Sequence, residues 1–386
     1  MNIAIAHTAI RDSRQAGEEL GREIEATLSG SPDALIIFAS PHYDYKILLE
    51  TLQSCCRPRL LVGCSSAGEF TSDSVEIETA CVLALQADDM AFAAGLGEGL
   101  KADRKQAAGD IVSQFGGISN HQYAYRSALV LTDALAGFAD SLIEEINLAT
   151  NGMYQLFGGG AGDNAKFQRT HVFFGTQVHT DAAVALEILS NKPIGVGVRH
   201  GWEPAGPALR VTKSVGSRVL SLNASPAVEA FLRHAEESGQ RFALDDPLPF
   251  FLSNVLGIET EGQHRLRVPL SLEADGSITF AAEVPEGSVV RIMRASALSA
   301  AEAAEKAALH ALSQMHGHKP KVAIFFDCVA TRLRTGQDFG MELKALQNSL
   351  LPARYIGCNT YGQIARSEGQ FGGFHNCTAV IGIFPE

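Results

Sequence analysis

The sequence predicts an α/β fold that is assembled from three copies of one structural unit. A strand that runs into a loop of small residues occurs three times, at residues 60–70, 154–163 and 354–364. A β-rich run precedes each loop by about 30 residues, and another β-rich run follows it. A helical segment lies between the first run and the loop. Each unit is therefore expected to contain a strand, a helix, a strand, a Gly-rich loop and a strand.

Local composition places the elements of these units. Apolar and β-branched runs predict the first strands at 34–38, 128–131 and 322–326 and the last strands at 80–85, 171–174 and 377–384. Longer segments predict the helices at 45–52, 138–148 and 341–350. The loop after strand 34–38 contains His42, and ligands tend to bind at such strand ends in open α/β sheets.

The N-terminal region adds a strand and a helix before the first loop. The strand is predicted at 3–6, and Asp12, with Gln15 three residues later, can cap the helix that follows. Ala16, Leu20 and Ile24 are spaced four apart, so they form one apolar face against a sheet. A further strand is predicted at 90–95, and a polar connection is predicted at 97–106.

The middle of the chain is predicted to combine helices with short strands. A strand at 209–212 precedes a helix at 227–235, and turn residues divide 247–285 into short strands with a hairpin turn at Glu273-Ala-Asp-Gly276. Ser299 and Glu302 have the spacing of a capping box, so a helix is expected from Ser299 to about Met315.

Composition excludes several classes of protein. The chain has 386 residues, of which 46% are hydrophobic and 19% charged, so it can bury the cores of two or more domains. Its net charge of -12 and lack of basic runs argue against nucleic acid as a partner. No apolar run approaches the roughly 20 residues that cross a bilayer, and no secretion signal is evident. Seven cysteines, an odd number, fit reduced thiols in a cytoplasm.

The Gly-rich loops permit two chemical interpretations. Backbone N–H groups in 63–68 and 158–162 could hold an anion, but neither loop has the Gly-Lys-Ser/Thr ending of a nucleotide loop. Residues 195–201 also lack the dinucleotide-binding spacing. Cys64 and Cys358 are candidate nucleophiles, although a small residue buried beside a tight turn explains them more simply.

Metal-ligand spacing is poor throughout the chain. No C-x-x-C pair occurs, and Cys55 and Cys56 are adjacent, which suits a tetrahedral site badly. A non-covalent haem would need only one well-placed imidazole and an apolar pocket. His42, His200 and His375 lie beside expected loops or strand ends, where a hydrogen-bonded structural role is the simpler interpretation of each.

Several motifs together resemble the FIST family. They are Leu61-Val-Gly-Cys-Ser-Ser-Ala-Gly-Glu-Phe70, Phe157-Gly-Gly-Gly-Ala-Gly-Asp163, Gly201-Trp-Glu-Pro204 with Val211-Thr212, and Ile356-Gly-Cys-Asn-Thr-Tyr-Gly-Gln-Ile364 followed by His375-Asn-Cys-Thr378. The resemblance covers nearly the whole chain. It implies a two-domain architecture of mixed sheets, with a FIST N domain at 1–215 that contains two units and a FIST C domain at 216–386 that contains the third.

The resemblance also implies a function. FIST proteins are understood as sensory modules for small ligands in signal transduction rather than as enzymes. A stand-alone chain is similar to the NosP branch, whose members bind haem and sense nitric oxide. We therefore expect a cytoplasmic sensor with haem b that detects nitric oxide and signals to a separately encoded histidine kinase or cyclic-di-GMP enzyme.

The motifs also indicate which residues would bind the ligand. His200 and His42 are the preferred axial ligands of haem, and His375 is the third candidate. One alternative is a haem-free sensor of an amino acid or another metabolite, anchored by Ser65, Ser66, Asp163, Thr360 and Asn376, and a less favoured alternative is a Cys-dependent hydrolase. The full ligand-site region comprises Gly63, Cys64, Ser65, Ser66, Gly68, Gly159, Gly160, Asp163, Cys358, Asn359, Thr360, Tyr361 and Asn376.

Overall fold

The chain folds as three structural repeats, each of which contributes strands and covering helices to one mixed sheet. A computed structural model describes residues 1–119, 122–260, 262–366 and 372–386. The first repeat consists of β1 (Asn2–Thr8), α1 (Ser13–Thr27), β2 (Ala34–Ala39), α2 (Tyr45–Cys56), β3 (Leu60–Ser65), β4 (Glu69–Thr71), β5 (Val75–Glu76) and β6 (Ala80–Gln86).

The second repeat has the same order of elements. It consists of β7 (Met90–Glu98), α3 (Arg104–Ser113), β8 (Tyr125–Thr132), a 3₁₀ turn (Ala134–Ala136), α4 (Ala139–Ala149), β9 (Gln155–Gly160), β10 (Val172–Phe174), β11 (Gln177–His179) and β12 (Ala182–Ser190).

The third repeat is interrupted after its first strand, β13 (Gly195–Arg199), by an inserted segment. The insertion contains β14 (Glu203–Pro204), β15 (Leu209–Val215), β16 (Arg218–Leu222), β17 (Ser225–Pro226), α5 (Ala227–Ser238), α6 (Leu248–Phe251), β18 (Val255–Thr260), β19 (Gln263–Arg267), β20 (Pro269–Leu272), β21 (Ile278–Phe280) and β22 (Val289–Arg294). The repeat resumes with α7 (Ala297–Ser313), β23 (Pro320–Cys328), α8 (Val329–Thr335), a 3₁₀ turn (Gly336–Asp338), α9 (Phe339–Leu350), β24 (Arg354–Thr360), β25 (Gln363–Arg366), β26 (Gly373–His375) and β27 (Ala379–Pro385).

The pairing of strands is the same in all three sheets. A parallel pair, β2 with β3, β8 with β9, or β23 with β24, lies at the middle of each sheet. The last strand of the repeat, β6, β12 or β27, runs antiparallel between the first strand of that pair and the first strand of the repeat. The repeated unit predicted from the sequence is therefore confirmed.

Each sheet is completed by a strand from another repeat. Strand β10 of the second repeat pairs with β3 of the first, β25 of the third pairs with β9 of the second, and β4 of the first pairs with β24 of the third. This cyclic exchange links the N-terminal and C-terminal parts of the chain through backbone hydrogen bonds.

The central core lies where the inner faces of the three sheets meet. Phe38, Leu131 and Phe326 occupy matching positions on β2, β8 and β23, and the rings of Phe38 and Phe326 are in edge contact at 5.5 Å. The outer face of each sheet is covered by helices: α1 and α2 on the first, α3 and α4 on the second, α7 and α9 on the third. The insertion has its own core around Phe231 and Phe251.

Helix α1 illustrates how local sequence specifies an element. Asp12 caps it as predicted, since its carboxylate accepts a hydrogen bond from the Gln15 N–H at 2.9 Å. Ala16, Leu20 and Ile24 are buried against the first sheet.

Three element predictions need correction. The last strand of the second repeat is β12, because the segment predicted at 171–174, β10, crosses to the first sheet. The capping box of α7 is made by Ser296 and Ser299, so the helix begins earlier than predicted. The predicted connection at 97–106 contains the end of β7 and the start of α3.

The Gly195-Val-Gly197 sequence has a packing role. A Cβ atom at Gly197 would lie 2.0 Å from the carbonyl oxygen of Ala307, so glycine is what lets α7 approach β13 closely. Within the described part of the chain, no helix has the length and apolar character needed to cross a membrane.

Candidate functional site

The three Gly-rich loops meet and hydrogen-bond to one another at the carboxyl ends of the parallel strands. We call residues 65–68, 160–163 and 359–362 the loop clasp. Three equivalent backbone hydrogen bonds, each 2.9 Å long, form it: Ala67 N–H to Asn359 O, Tyr361 N–H to Gly160 O, and Gly162 N–H to Ser65 O. These N–H groups already donate to backbone carbonyls of the chain, so they do not form an open anion-binding loop.

Several of the predicted polar anchors form hydrogen bonds with other residues of the chain. The Ser66 hydroxyl donates to the Glu69 carboxylate, which is fully buried and also accepts from Ser40 at 2.9 Å and Thr79 at 2.9 Å. Burial raises the pKa of Glu69. The Ser65 hydroxyl accepts from the His171 N–H at 2.9 Å. These groups stabilise the loops.

The residues beside these anchors are largely structural as well. Thr360 donates to the Asp327 carbonyl at 3.2 Å, and Gly159 packs against the Thr360 side chain. Gly63 and Gly160 lie in strands β3 and β9, and Gly68 and Asn359 face each other across the clasp, where an Asn359 N–H donates to the Gly68 carbonyl at 2.8 Å.

Cys64 and Cys358 occupy the central core. Both have no exposed surface and they contact each other between the first and third sheets. Burial raises the pKa of Cys358 well above its usual value, which disfavours the thiolate that a nucleophile requires. This environment does not suit the hydrolase alternative.

An apolar groove lies next to the clasp, where the insertion covers the ends of β8 and β23. Its empty volume is about 570 Å³, including space open to solvent. Of the predicted ligand-site residues, Tyr361 and Asn376 line it. The other lining residues are Ala134, Leu135, Phe167, Leu248, Leu252, Val268, Leu270, Ala281, Cys328, Val329, Ala330 and Leu333.

Only part of this groove could be predicted from local sequence. Ala134 lies two residues after β8 and Val329 directly follows β23, so the tendency of ligands to bind at strand ends could have identified both. The leucines of the insertion approach the site only through tertiary packing, and local sequence carries no sign of this.

Two stacked aromatic rings form one wall of the groove. The Phe167 and Tyr361 rings are 4.4 Å apart and nearly parallel. The Tyr361 hydroxyl donates to the Asp163 carboxylate, which also accepts the N–H groups of Phe167 and Gln168 at 2.8 Å each. Burial raises the pKa of the Tyr361 hydroxyl, so this group stays protonated. Asp163 therefore fixes the wall rather than binding a ligand directly.

Asn376 supplies an unsatisfied polar atom beside this wall. Its amide nitrogen donates to the His375 carbonyl at 3.3 Å. Its Oδ1 atom is buried and has no hydrogen-bond partner among the described residues. Leaving such an acceptor unpaired costs about 1–3 kcal/mol. A ligand with an N–H or O–H donor would remove that cost.

The three candidate haem ligands do not line the groove. His200 Nε2 lies 2.9 Å from the His264 carbonyl and its Nδ1 accepts from the Trp202 N–H at 3.2 Å, so both ring nitrogens are occupied. His375 is almost completely buried, so its ring is not exposed to a bound haem, although burial lowers its pKa to about 3 and keeps the imidazole neutral. The occupied nitrogens of His200 and the burial of His375 therefore do not suit an iron ligand.

His42 could bind iron through its imidazole, but it lies outside the groove. Both of its ring nitrogens are buried and lack partners in the part of the chain that the structure describes. Burial lowers its pKa, which favours the neutral imidazole that iron binds. Its ring packs on Tyr43 at 3.9 Å, outside the apolar groove. A histidine-ligated haem therefore does not fit the groove, because the imidazole and the apolar pocket lie in different places.

Comparison with known proteins identifies the family. The FIST N domain model matches residues 33–225 and the FIST C domain model matches residues 227–366. The chain is also 22% identical over 307 residues to a Methanocaldococcus jannaschii protein described as uncharacterized. That alignment covers 75% of this chain and spans only 59% of the relative's length.

Similarity to solved structures is weak. T. maritima PurL complexed with FGAR is 12% identical, with 99% of this chain and 72% of that chain covered and a TM-score of 0.25. Phosphoribosylformylglycinamidine synthase II from Thermotoga maritima is 10% identical, with 99% and 71% covered and a TM-score of 0.23. These scores support no argument about fold or function. The two domain matches, in contrast, identify the family. The chain belongs to the FIST family, whose domains are sensory modules that bind small ligands.

Proposed function

We propose that this protein senses a small, flat and mostly apolar molecule that carries a hydrogen-bond donor, and that the groove binds it. The observation that carries the proposal is the unpaired, buried Oδ1 of Asn376 beside the stacked rings of Phe167 and Tyr361. A mostly apolar wall with few polar groups is typical of ligand pockets. A free amino acid suits the groove less well, since Ser65, Ser66 and Thr360 already have partners within the chain.

The position of the groove suggests how the signal would be transmitted. Leu248 and Leu252 of the insertion form one side, and Val329 and Ala330 of the third repeat form the other. A ligand that contacts both sides would favour one arrangement of the insertion over another. A separate partner, such as a histidine kinase or a cyclic-di-GMP enzyme, would respond to this difference. In this scheme the protein is a sensor and not an enzyme.

Fluorescence titration with 1-aminoanthracene tests the binding proposal. This probe is planar and apolar, and its amine can donate to Asn376 Oδ1. We expect one binding site per chain. Asn376→Leu should weaken binding by up to roughly tenfold, the value of one hydrogen bond. Asn348→Leu, at an exposed position on α9, should leave binding unchanged.

A second pair of variants tests the location. Leu333 and Leu309 are both half-exposed on helices, but only Leu333 is among the groove-lining residues. Leu333→Trp should obstruct the groove and reduce binding, whereas Leu309→Trp should not. Equal effects of the two substitutions would show that the probe binds elsewhere.

Haem-based sensing of nitric oxide is the second candidate, supported by the unpaired ring nitrogens of His42. The test is the absorption spectrum of protein supplied with haem, oxidised and reduced, with and without nitric oxide. A Soret band that responds to nitric oxide and is lost in His42→Ala, but kept in the exposed-site control His318→Ala, would support haem sensing. No bound haem would eliminate this candidate and leave the groove proposal intact.

A further inference from the structure

Two cysteine side chains lie in one buried cluster next to the groove. Cys328 ends β23 and lines the groove, and Cys377 lies just before β27, the antiparallel neighbour of β23. The two side chains belong to one buried apolar cluster with Trp202 and Met293, and the two thiols are close enough to influence each other's pKa. The pair is therefore positioned so that one thiol can reach the other without unfolding.

The backbone at Cys377 is held in an unfavourable conformation. Its φ angle is +50°, in the left-handed region, which costs a residue with a Cβ atom about 1–2 kcal/mol. Such outliers persist where the surrounding structure imposes them, and they are frequent at functional sites. Here the outlier lies at the cysteine that shares a cluster with Cys328.

We propose that Cys328 and Cys377 form an oxidisable dithiol, a site at which hydrogen peroxide converts two thiols to a disulfide. The Cys328 thiolate attacks one peroxide oxygen and becomes a sulfenic acid, while the other oxygen leaves as hydroxide and is protonated to water. The Cys377 thiol then attacks the Cys328 sulfur, and a second water leaves. Peroxide is reduced, the two thiols are oxidised, and two water molecules form per disulfide.

The electrostatics favour these roles. The neighbouring Cys377 thiol lowers the pKa of Cys328 to about 7, which favours the Cys328 thiolate. Burial raises the pKa of Cys377, so Cys328 is the thiol of the pair that loses its proton first and attacks the peroxide. Redox-sensitive cysteines commonly combine a low-pKa thiol with access to solvent and a second thiol nearby. Cys328 is 3% exposed and lines the groove, so it lies nearer to solvent than Cys64 and Cys358, which have no exposed surface.

Cys64 and Cys358 provide an internal control. They are also thiols in mutual contact, but they lie in the central core with no exposed surface. No lining residue of the groove belongs to this second pair. Peroxide should therefore oxidise the Cys328–Cys377 pair first, because Cys328 has both the lower pKa and the position at the groove. The proposal does not depend on which ligand the groove binds.

The experiment is peroxide treatment of the folded full-length chain, followed by alkylation and peptide mapping by mass spectrometry. We expect a Cys328–Cys377 disulfide while Cys64 and Cys358 remain reduced. In Cys377→Ser, Cys328 should be trapped as a sulfenic acid that reacts with dimedone. In Cys328→Ser, Cys377 should stay reduced.

A measurement on the unmodified protein keeps the proposal testable if a variant fails to fold. Iodoacetamide should label Cys328 more than about tenfold faster than Cys64 or Cys358. Equal labelling rates, or peroxide treatment that leaves Cys328 reduced or oxidises it without forming the disulfide, would overturn the proposal.

Discussion

Glu342 and Asp327 are buried carboxyl groups in a small polar cavity beneath α8, together with Arg334 and His200. Burial is the main cause that raises the pKa of each, and the neighbouring carboxyl group contributes further at Asp327. The folded state therefore holds protons that the unfolded chain has already released. Because a carboxyl group with a raised pKa favours the protonated fold, its contribution to stability falls as pH rises from the acidic range.

Replacing Glu342 by Gln should reduce this pH dependence. At a pH where the Glu342 carboxyl group is ionised in the folded protein, folding is less favourable by about 1.4 kcal/mol for each unit by which its pKa is raised. The variant should therefore lose less stability than the wild type between about pH 5 and about pH 8, as measured by urea unfolding. Glu302→Gln, at an exposed position on α7, serves as control and should retain the wild-type pH dependence. An unchanged pH profile in Glu342→Gln would contradict this explanation.

Gly362 is a second residue whose identity follows from its surroundings. Its φ angle is +114°, and an added Cβ atom would lie 2.1 Å from the Phe374 ring. Gly362→Ala should therefore lower the free energy of unfolding by roughly 2 kcal/mol or more. Gly109→Ala in α3, where no atom lies within 4 Å of the added Cβ, should instead stabilise by about 0.5–1 kcal/mol. Thermal unfolding compares the two, and equal effects would refute the steric argument.

At the scale of elements, the hairpin of β4 and β5 joins the first repeat to the third sheet. Phe70 on β4 is buried among Phe325, Phe339 and Tyr355, all of which belong to the third repeat. Phe70→Ala should cost about 3–5 kcal/mol of stability, as truncation of a buried aromatic side chain typically does.

The matched control lies on the same hairpin. Ile77 is 60% exposed, so Ile77→Ala should change stability by less than about 0.5 kcal/mol. Chemical denaturation measures both variants. A small effect of Phe70→Ala would mean that the exchanged strand contributes little to the third sheet.

Local sequence determined most of these elements but not their partners. The capped start of α1 and the buried strands β2 and β23 follow from side-chain type and spacing. Nothing local indicates that β10 pairs with β3, because the edge of any of the three sheets offers the same hydrogen-bonding groups. The segment 163–170 also lengthens the loop between β9 and β10 and shifts the later strands of the second repeat along the sequence. As a result β10 lies where the last strand was expected, and the last strand is β12.

The candidate site was predictable to a similar extent. Tyr361 and Asn376 belong to motifs that the sequence displays, and both line the groove. The remaining motif residues hold the loops and strands together. Sequence alone does not separate this role from ligand binding, because both require small and polar residues at strand ends. The contribution of the insertion depends on long-range packing, which no local pattern reports.

For the whole molecule, the exchanged strands predict that the two FIST domains unfold together. A fragment of residues 1–225 would lack β24 and β25, the partners of β4 and β9. We expect the intact chain to show one calorimetric transition and the fragment to lack a cooperative one. A fragment that unfolds cooperatively at the temperature of the intact chain would contradict this expectation.

Hydrogen–deuterium exchange of the intact chain, with and without 1-aminoanthracene, tests the central claim that the groove is the ligand site. Bound probe should slow exchange in α6, in α8 and in the 163–168 loop, which together surround the groove. Exchange in α1 and α3, on the outer faces of the first and second sheets, should not change. Protection confined to other regions, at probe concentrations that saturate fluorescence, would contradict the assignment of the groove as the sensory site.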